Sequence, residues 1–186
     1  TTFLPETGRW IFAASLVIGG PAGMPLPAQP FGHIAPLVLH VFIHFGLFHL
    51  AMNLAVLIGA GRAVGLALGG GLRGTAGFFV FFFACSIAGA GLEILLPHDQ
   101  IVQMGGASTG VSGLIAAAGW VRGGYRGMLS LALPWIGFNI VIALTGMVLP
   151  IPISWAGHIG GTLAGALLFP LALAVFGEAR RPGLSA

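Results

Sequence analysis

The sequence predicts an all-α integral membrane protein, and three observations lead to this fold class. Of the 186 residues, 57% are hydrophobic and only 6% are charged, whereas a soluble domain carries about 25% charged residues. The mean hydropathy of +1.03 is equally hard to reconcile with a surface that faces water. The apolar residues fall in several long blocks, most of them near the roughly 20 residues that a helix needs to cross a bilayer. We therefore expect a bundle of transmembrane helices that forms a single domain over residues 1–186.

Six apolar segments are the predicted spans. The first is short and contains a proline, and the fourth is short enough to begin below the membrane surface. The apolar stretch 32–45 contains three histidines, so we expect a partly embedded first loop or an interfacial helix there rather than a span. The predicted spans cover about residues 9–26, 47–68, 75–96, 106–121, 128–149 and 155–176.

The basic residues predict the orientation of the bundle. With six crossings, all seven of them lie on one side of the membrane, and the other connections, about 27–46, 97–104 and 150–154, contain neither Arg nor Lys. By the positive-inside rule, both termini are then cytoplasmic. Because the basic residues are scattered rather than clustered, they also argue against a nucleic-acid partner. They are Arg9, Arg62, Arg73, Arg122, Arg126, Arg180 and Arg181.

Polar side chains lie near the beginnings of segments two, four and six. These segments all run inward from the extracytoplasmic side, so their first residues are expected to meet at one depth in the outer half of the membrane. Segment two begins with His49 and Asn53, whose i, i+4 spacing puts both on one helix face. Ser108 lies near the beginning of segment four, and His158 near the beginning of segment six. Such residues are rare inside a bilayer and indicate a functional site.

A serine near a histidine is the minimal pair for nucleophilic catalysis. The histidine takes the hydroxyl proton during attack and returns it to the leaving amine. Neither Asp99, in a loop, nor Glu93, on segment three, is placed to complete a triad. We therefore predict a dyad of Ser108 and His158, with the histidine oriented by packing.

The nucleophile is ambiguous by pattern, because Ser112 also lies on segment four, one turn below Ser108 and on the same face. The first four N–H groups of a helix lack helical acceptors, so a serine in the first turn can offer its own N–H to a developing oxyanion. This argument favours Ser108 and leaves Ser112 as the alternative. His49 and Asn53 would complete the oxyanion hole with side-chain donors.

Glycines on segments four and six predict that these two helices pack closely. Small residues four positions apart let helix backbones approach each other inside a membrane. Such an approach would bring Ser108 and His158 within hydrogen-bond reach. The glycines expected to support this packing are Gly106, Gly110, Gly113, Gly157, Gly161 and Gly165.

At these motifs, over about residues 40–170, the sequence resembles the rhomboid intramembrane serine proteases. The H-x-x-x-N stretch at 49–53 is similar to the motif on the family's second helix. The stretch 106–114 resembles the family's nucleophile helix, and 157–165 resembles its sixth helix. Each motif alone is weak, but all three occur in order and on the corresponding segments of a six-span chain.

The resemblance implies a rhomboid-like six-helix bundle and an intramembrane serine endopeptidase. It implies a Ser108–His158 dyad, His49 and Asn53 at the oxyanion, and a water-filled cavity that opens to the extracytoplasmic side. Substrates would be transmembrane segments of other proteins in the lipid bilayer, and no cofactor is needed. Thr109 departs from the family pattern, in which glycine usually follows the serine. The compact size suggests a bacterial plasma membrane.

Other functions remain open from the sequence. An inactive rhomboid-like protein would bind membrane clients without cutting them, and a rhombosortase-type enzyme would process C-terminal sorting tails. A small transporter or proton channel would use histidine and asparagine as a relay, but the cytoplasmic halves of the segments are nearly all apolar. Three well-spaced metal ligands around an open position are not evident, so no metal site is predicted.

Single residues also have plainer interpretations. The alternative for His158 is a histidine hydrogen-bonded at a helix interface, and the alternative for Asn53 is a bond that joins helices. His44 is expected to support the first loop, and His40 to be a loop or interfacial residue. Three residues of segment five either form part of a lateral gate, as the resemblance implies, or pack in the ordinary way: Trp135, Phe138 and Asn139.

Overall fold

Helices make up most of the described chain. The structure is a computed structural model that describes residues 4–20, 28–146 and 153–177. Its helices are α1 (Leu4–Ala14), α2 (Pro36–Leu39), α3 (Leu47–Leu68), α4 (Gly71–Leu95), α5 (Ser108–Gly146) and α6 (Trp155–Phe176), and a 3-10 turn covers His40–Phe42. Two strands, β1 (Leu16–Gly19) and β2 (Ile101–Met104), pair antiparallel.

Four of these helices, α3 to α6, are long and apolar enough to cross a membrane. α5 has 39 residues and is interrupted at Gly123 and Gly124, whose backbone angles are not helical. The backbone segments on either side of this break are in close contact. A Cβ on Gly119 would lie only 2.5 Å from the carbonyl oxygen of Gly127. α5 is therefore a helical hairpin, and its first and second arms correspond to predicted segments four and five.

The first predicted span, residues 9–26, is not one continuous helix. α1 ends at Ala14, and the next apolar residues, Leu16–Gly19, form β1 and pair with Ile101–Met104. A short apolar run can satisfy its backbone in a helix or against another strand, and its pattern alone does not distinguish the two. Residues 21–26 of the predicted span lie outside the described residues.

The histidine-containing stretch before α3 has only short helical turns. His40, in the 3-10 turn, was expected in a loop or at an interface, but its side chain is fully buried. Its Nδ1 lies 2.9 Å from the Pro36 carbonyl oxygen, and its own carbonyl accepts the Gly106 N–H at 2.8 Å. His40 therefore connects the first loop to the residues that lead into α5.

α6 packs against both α4 and α5, and its two ends mark the two ends of the bundle. In the core, the rings of Phe81 on α4 and Phe169 on α6 meet edge to face at 5.5 Å. Near the last turn of α6, Arg73 donates to the Val175 carbonyl. His158 lies in the first turn of α6, 17 residues before Val175, which corresponds to about 26 Å of helix. The histidine and Arg73 are therefore at opposite ends of the bundle.

Candidate active site

Ser108 is the first residue of α5 and follows a turn that favours glycine. Gly106 has a φ of 121°, a conformation that residues with a Cβ rarely adopt, and its N–H donates to the His40 carbonyl. The first backbone bond of the helix joins the Val111 N–H to the Ala107 carbonyl at 2.9 Å. The Ser108 N–H therefore has no acceptor within the helix and is free to bind an oxyanion.

Gly106 also brings His49 next to Ser108. A Cβ on Gly106 would lie 2.8 Å from His49 Nε2 and 3.6 Å from Ser108 Oγ, so the imidazole and the hydroxyl border one small space. The backbone N–H of Phe45 donates to His49 Nδ1 at 3.4 Å, which leaves the proton of the neutral ring on Nε2. His49 therefore presents a donor to the space beside the serine.

Asn53 lies one turn further along α3 and is buried. Its Nδ2 donates to the His49 carbonyl at 2.8 Å, and the second hydrogen of this amide nitrogen remains available for another acceptor. With Ala107, the Asn53 side chain also borders an apolar cavity of about 340 Å³ between α3 and α4. Asn53 thus has a structural bond within α3 and a position next to the turn that precedes Ser108.

The hydroxyl of Ser112 has both a donor and an acceptor partner within the protein. It donates to the Ser108 carbonyl at 2.7 Å and accepts from the indole N–H of Trp135 at 3.0 Å. The Ser112 side chain is fully buried, whereas Ser108 is half-buried. Of the two serines, Ser108 is therefore the one that a substrate can reach.

The imidazole of His158 is held by the second arm of α5. Its Nδ1 lies 2.7 Å from Oδ1 of Asn139, a fully buried residue. The indole of Trp135, one turn earlier, packs on the same imidazole with 5.9 Å between ring centroids. Packing alone was predicted to orient His158, so its polar partner was not foreseen from the sequence. The signal that was available is a polar residue, Asn139, within an apolar span.

Ser108, His49 and His158 lie at the same end of the bundle. His49 borders the same space as the Ser108 hydroxyl, and the backbone of α6 one turn after His158 lies against the Thr109 carbonyl. Within the described residues, no hydrogen bond joins the Ser108 hydroxyl to His158. Catalytic hydrogen bonds are often long before substrate binds, so this geometry is compatible with a dyad. Among the residues that the structure describes, no three His, Cys, Asp or Glu side chains are grouped to hold a metal ion.

Glycines hold α6 against the first arm of α5. A Cβ on Gly161 would lie 2.0 Å from the Thr109 carbonyl oxygen, and a Cβ on Gly165 would lie 2.2 Å from the Gly113 carbonyl oxygen. Any larger residue at Gly161 or Gly165 would push the two backbones apart, because the contact is to main-chain atoms. These contacts place the beginning of α6, and with it the histidine, close to the beginning of α5.

Gly110 was predicted to face α6, but it faces α4 instead. A Cβ at this position would lie 2.4 Å from Ser86 Oγ and 2.5 Å from a ring atom of Phe82, both on α4. The physical reason is that α4 and α6 lie side by side against the first arm of α5, so neighbouring faces of this arm meet different helices. Gly110 therefore supports the packing of α5 on α4.

Thr109, which departs from the family pattern, fits between glycines of two other helices. A Cβ on Gly89 of α4 would lie 2.9 Å from the Thr109 Cβ, and a Cβ on Gly157 of α6 would lie 3.1 Å from its methyl group. Its hydroxyl lies 3.5 Å from His40 Nε2. The larger side chain is therefore buried away from the serine, in space that the two glycines leave.

A carboxyl group of α4 caps the beginning of α6. Glu93 is 5% exposed, and its Oε2 accepts the Ser154 hydroxyl at 2.5 Å and the Gly157 N–H at 2.8 Å. The first N–H groups of a helix need such partners. Because Gly157 directly precedes His158, Glu93 anchors the backbone beside the histidine. This role of Glu93 was not predicted from the sequence, because its partners lie more than 60 residues away along the chain.

The part of the chain that contains the site matches a known protein family. The family model described as Rhomboid domain matches residues 32–175. This range includes the first loop, α3 to α5 and nearly all of α6, so every residue of the site lies within it. Comparisons with curated proteins and with solved structures gave no match.

Proposed function

Because the chain belongs to the rhomboid family, we propose that it is a serine endopeptidase that cleaves transmembrane segments of other membrane proteins. The observation that supports this most is the position of Ser108. It begins α5 with an N–H that has no helical acceptor, and its hydroxyl borders the same space as His49 Nε2. The reaction requires only side chains and water, so we propose no cofactor.

The proposed reaction is acyl transfer to Ser108 followed by hydrolysis. Ser108 Oγ attacks the carbonyl carbon of the substrate while His158 Nε2 takes the hydroxyl proton. The oxyanion accepts from the Ser108 N–H, from His49 Nε2–H and from the second N–H of Asn53. One such side-chain donor typically lowers the barrier by about 3–4 kcal/mol. His158 returns the proton to the leaving amine, and water then hydrolyses the acyl-enzyme.

We propose that the site opens on the extracytoplasmic side of a membrane, such as a bacterial plasma membrane. Arg73, at the other end of the bundle, would then lie in the cytoplasm, as the positive-inside rule requires. A substrate helix would enter between α3 and the second arm of α5 and unwind near the outer face. In this orientation β1 lies at the extracytoplasmic end of the bundle. If the N-terminus is cytoplasmic, as six crossings predict, the chain must cross the membrane before β1. α1 is about 16 Å long and is too short to cross the roughly 30 Å hydrocarbon core by itself.

Labelling with a fluorophosphonate probe tests this function in detergent-purified protein. We expect the wild type to form a covalent adduct that mass spectrometry locates on Ser108. Ser108→Ala and His158→Ala should form none, because one lacks the nucleophile and the other lacks the base. Ser112→Ala should still form the adduct, although more slowly, since it loses the bonds to Ser108 and Trp135.

The other outcomes each point to a different conclusion. An adduct on Ser112 would keep the protease function but change the nucleophile. A folded wild type that neither forms an adduct nor cuts a general transmembrane substrate would make the protein a client-binding member of the family. Cleavage restricted to C-terminal sorting tails would indicate the rhombosortase type of substrate.

A further inference from the structure

Hydrogen bonds of three intervening residues, Ser112, Trp135 and Asn139, link the backbone of Ser108 to the imidazole of His158. The Ser108 carbonyl accepts from the Ser112 hydroxyl at 2.7 Å, and this hydroxyl accepts from the Trp135 indole at 3.0 Å. The Trp135 carbonyl accepts from the Asn139 amide at 2.8 Å, and Asn139 Oδ1 faces His158 Nδ1 at 2.7 Å. The last of these bonds acts directly on the imidazole.

The bond to Trp135 determines which way the Asn139 amide points. A backbone carbonyl can only accept, so the amide nitrogen of Asn139 must face it, and Oδ1 is directed to His158. Oδ1 can only accept as well, so His158 Nδ1 is the donor and carries a proton. In the neutral imidazole, Nε2 then has a free lone pair.

Asn139 differs from polar side chains that only form bonds within their own helix. Thr145 on the same arm and Thr162 on α6 each donate to the carbonyl four residues earlier. Asn139 makes this bond through Nδ2 and uses Oδ1 for a neighbouring helix. Its side chain is fully buried, and a buried acceptor without a donor destabilises a protein by about 1–3 kcal/mol. The structure therefore favours a single orientation of the imidazole.

We propose that Asn139 is a positioning residue that holds His158 as the Nδ1–H tautomer, with Nε2 free to accept the proton of Ser108. This inference rests on the proposed protease function and extends the dyad to a serine–histidine–asparagine triad. The third member lies on the second arm of α5, so a helix other than α6 orients the histidine.

Asn139 stays neutral through the proposed reaction. As Ser108 Oγ bonds to the carbonyl carbon, its proton moves to His158 Nε2, and the resulting imidazolium keeps its Nδ1–H bond to Asn139. The Nε2 proton passes to the leaving amine as the C–N bond breaks, which restores the neutral ring. An amide oxygen accepts from the ring in both protonation states, so no carboxylate is needed.

The tautomer can be measured in the wild type without an activity assay. Protein labelled with ¹⁵N-histidine is purified in detergent, and His158 is identified by the NMR signals that are missing from His158→Ala. We expect the neutral ring to carry its proton on Nδ1. A neutral ring with the proton on Nε2 would overturn the inference.

Two substitutions of Asn139 separate positioning from packing. Leucine has no acceptor, so Asn139→Leu should lower the labelling rate and kcat for a general transmembrane substrate by about 10- to 100-fold, with KM nearly unchanged. Asn139→Asp restores an acceptor oxygen, so its labelling rate should return close to that of the wild type. Thr145→Val is the matched control, because it removes a side-chain bond from the same arm six residues away and should label as the wild type does.

Two results would contradict the role of Asn139 while leaving the proposed function intact. One is a wild-type labelling rate in folded Asn139→Leu, and the other is a Nδ1–H tautomer of His158 that persists in this variant. If Asn139→Leu does not fold, the wild-type tautomer and the rate of Asn139→Asp decide the question. A folded wild type that never labels would instead contradict the proposed function, and the tautomer would still test the contact between Asn139 and His158.

Discussion

His49 and His158 show how the partner of one ring nitrogen sets the role of the other. At His49, the Phe45 N–H donates to Nδ1, so Nε2 carries the proton and can donate beside Ser108. At His158, Nδ1 faces the amide oxygen of Asn139, so Nε2 can accept. In the proposed reaction, the same residue type can therefore serve as an oxyanion donor on one helix and as the general base on another.

Replacing His49 tests its part as a donor. His49→Ala should lower kcat by about 100- to 1,000-fold, the usual effect of removing one oxyanion donor, while the protein still folds. The measurement is cleavage of a general transmembrane substrate, together with thermal unfolding in detergent. Phe48→Ala is the control, because its side chain is adjacent and 79% exposed. Wild-type kcat in His49→Ala would assign the oxyanion to other donors.

The position of α6 depends on contacts from two other helices. Gly161 and Gly165 let its backbone meet the first arm of α5, and Glu93 of α4 holds its first turn through Ser154 and Gly157. The glycines set the distance between the helices, and the carboxyl group fixes the position along α4 at which α6 begins. Both are needed to place the histidine that follows Gly157.

Removing the cap should loosen the beginning of α6. Glu93→Ala leaves the Gly157 N–H without its acceptor, and we expect the free energy of unfolding to fall by about 2–3 kcal/mol. The midpoint of thermal unfolding in detergent measures this loss, and fluorophosphonate labelling should slow because His158 is less well placed. Asp99→Ala is the matched control, since it removes a nearby exposed carboxyl group. An equal loss of stability in both variants would mean that the contact with α6 contributes nothing specific.

Across the whole molecule, His40 joins the first loop to the turn before Ser108. Its carbonyl accepts the Gly106 N–H, and its ring lies between the Pro36 carbonyl and the Thr109 hydroxyl. Burial lowers the pKa of His40 below its ordinary value of 6.5. The folded protein therefore keeps this ring neutral at a pH at which the unfolded chain already binds a proton.

The stability of the protein should consequently decrease as the pH falls below 6.5. Above that pH neither state protonates His40. Below it the unfolded state binds one proton more, until the lowered pKa of the folded state is reached. In this range the free energy of unfolding falls by at most about 1.4 kcal/mol per pH unit for one group. His40→Gln should flatten the plot of unfolding free energy against pH, whereas His33→Gln, at an exposed position of the same loop, should not. An unchanged slope in His40→Gln would contradict this prediction.

The pairing of β1 with β2 is the part of the fold that could not be predicted from the sequence. The stretch at 9–26 is apolar enough to suggest a span, but Leu16–Gly19 pairs with Ile101–Met104 instead. These two strands are more than 80 residues apart, and neither has a pattern that identifies its partner. The turn at Gly123–Gly124, in contrast, lies between two arginines where a connection was expected.

By itself, the sequence determined that the chain is a helical membrane protein, and it supplied the residues of the proposed site. Inside a bilayer each backbone group must find its partner within the same segment, so long apolar runs form helices whatever surrounds them. Two predicted segments, 47–68 and 155–176, therefore coincide with α3 and α6. Short local motifs likewise indicated the serine, the two histidines and the asparagine on α3.

Only the tertiary structure decided which partners the buried polar groups have. The oxygen of Asn139, the carboxyl group of Glu93 and the carbonyl of His40 each bond to a residue on a distant part of the chain. Which side chains meet depends on the rotation, height and separation of packed helices. Small residues on several helices together determine how the helices pack, and no local sequence pattern shows this packing.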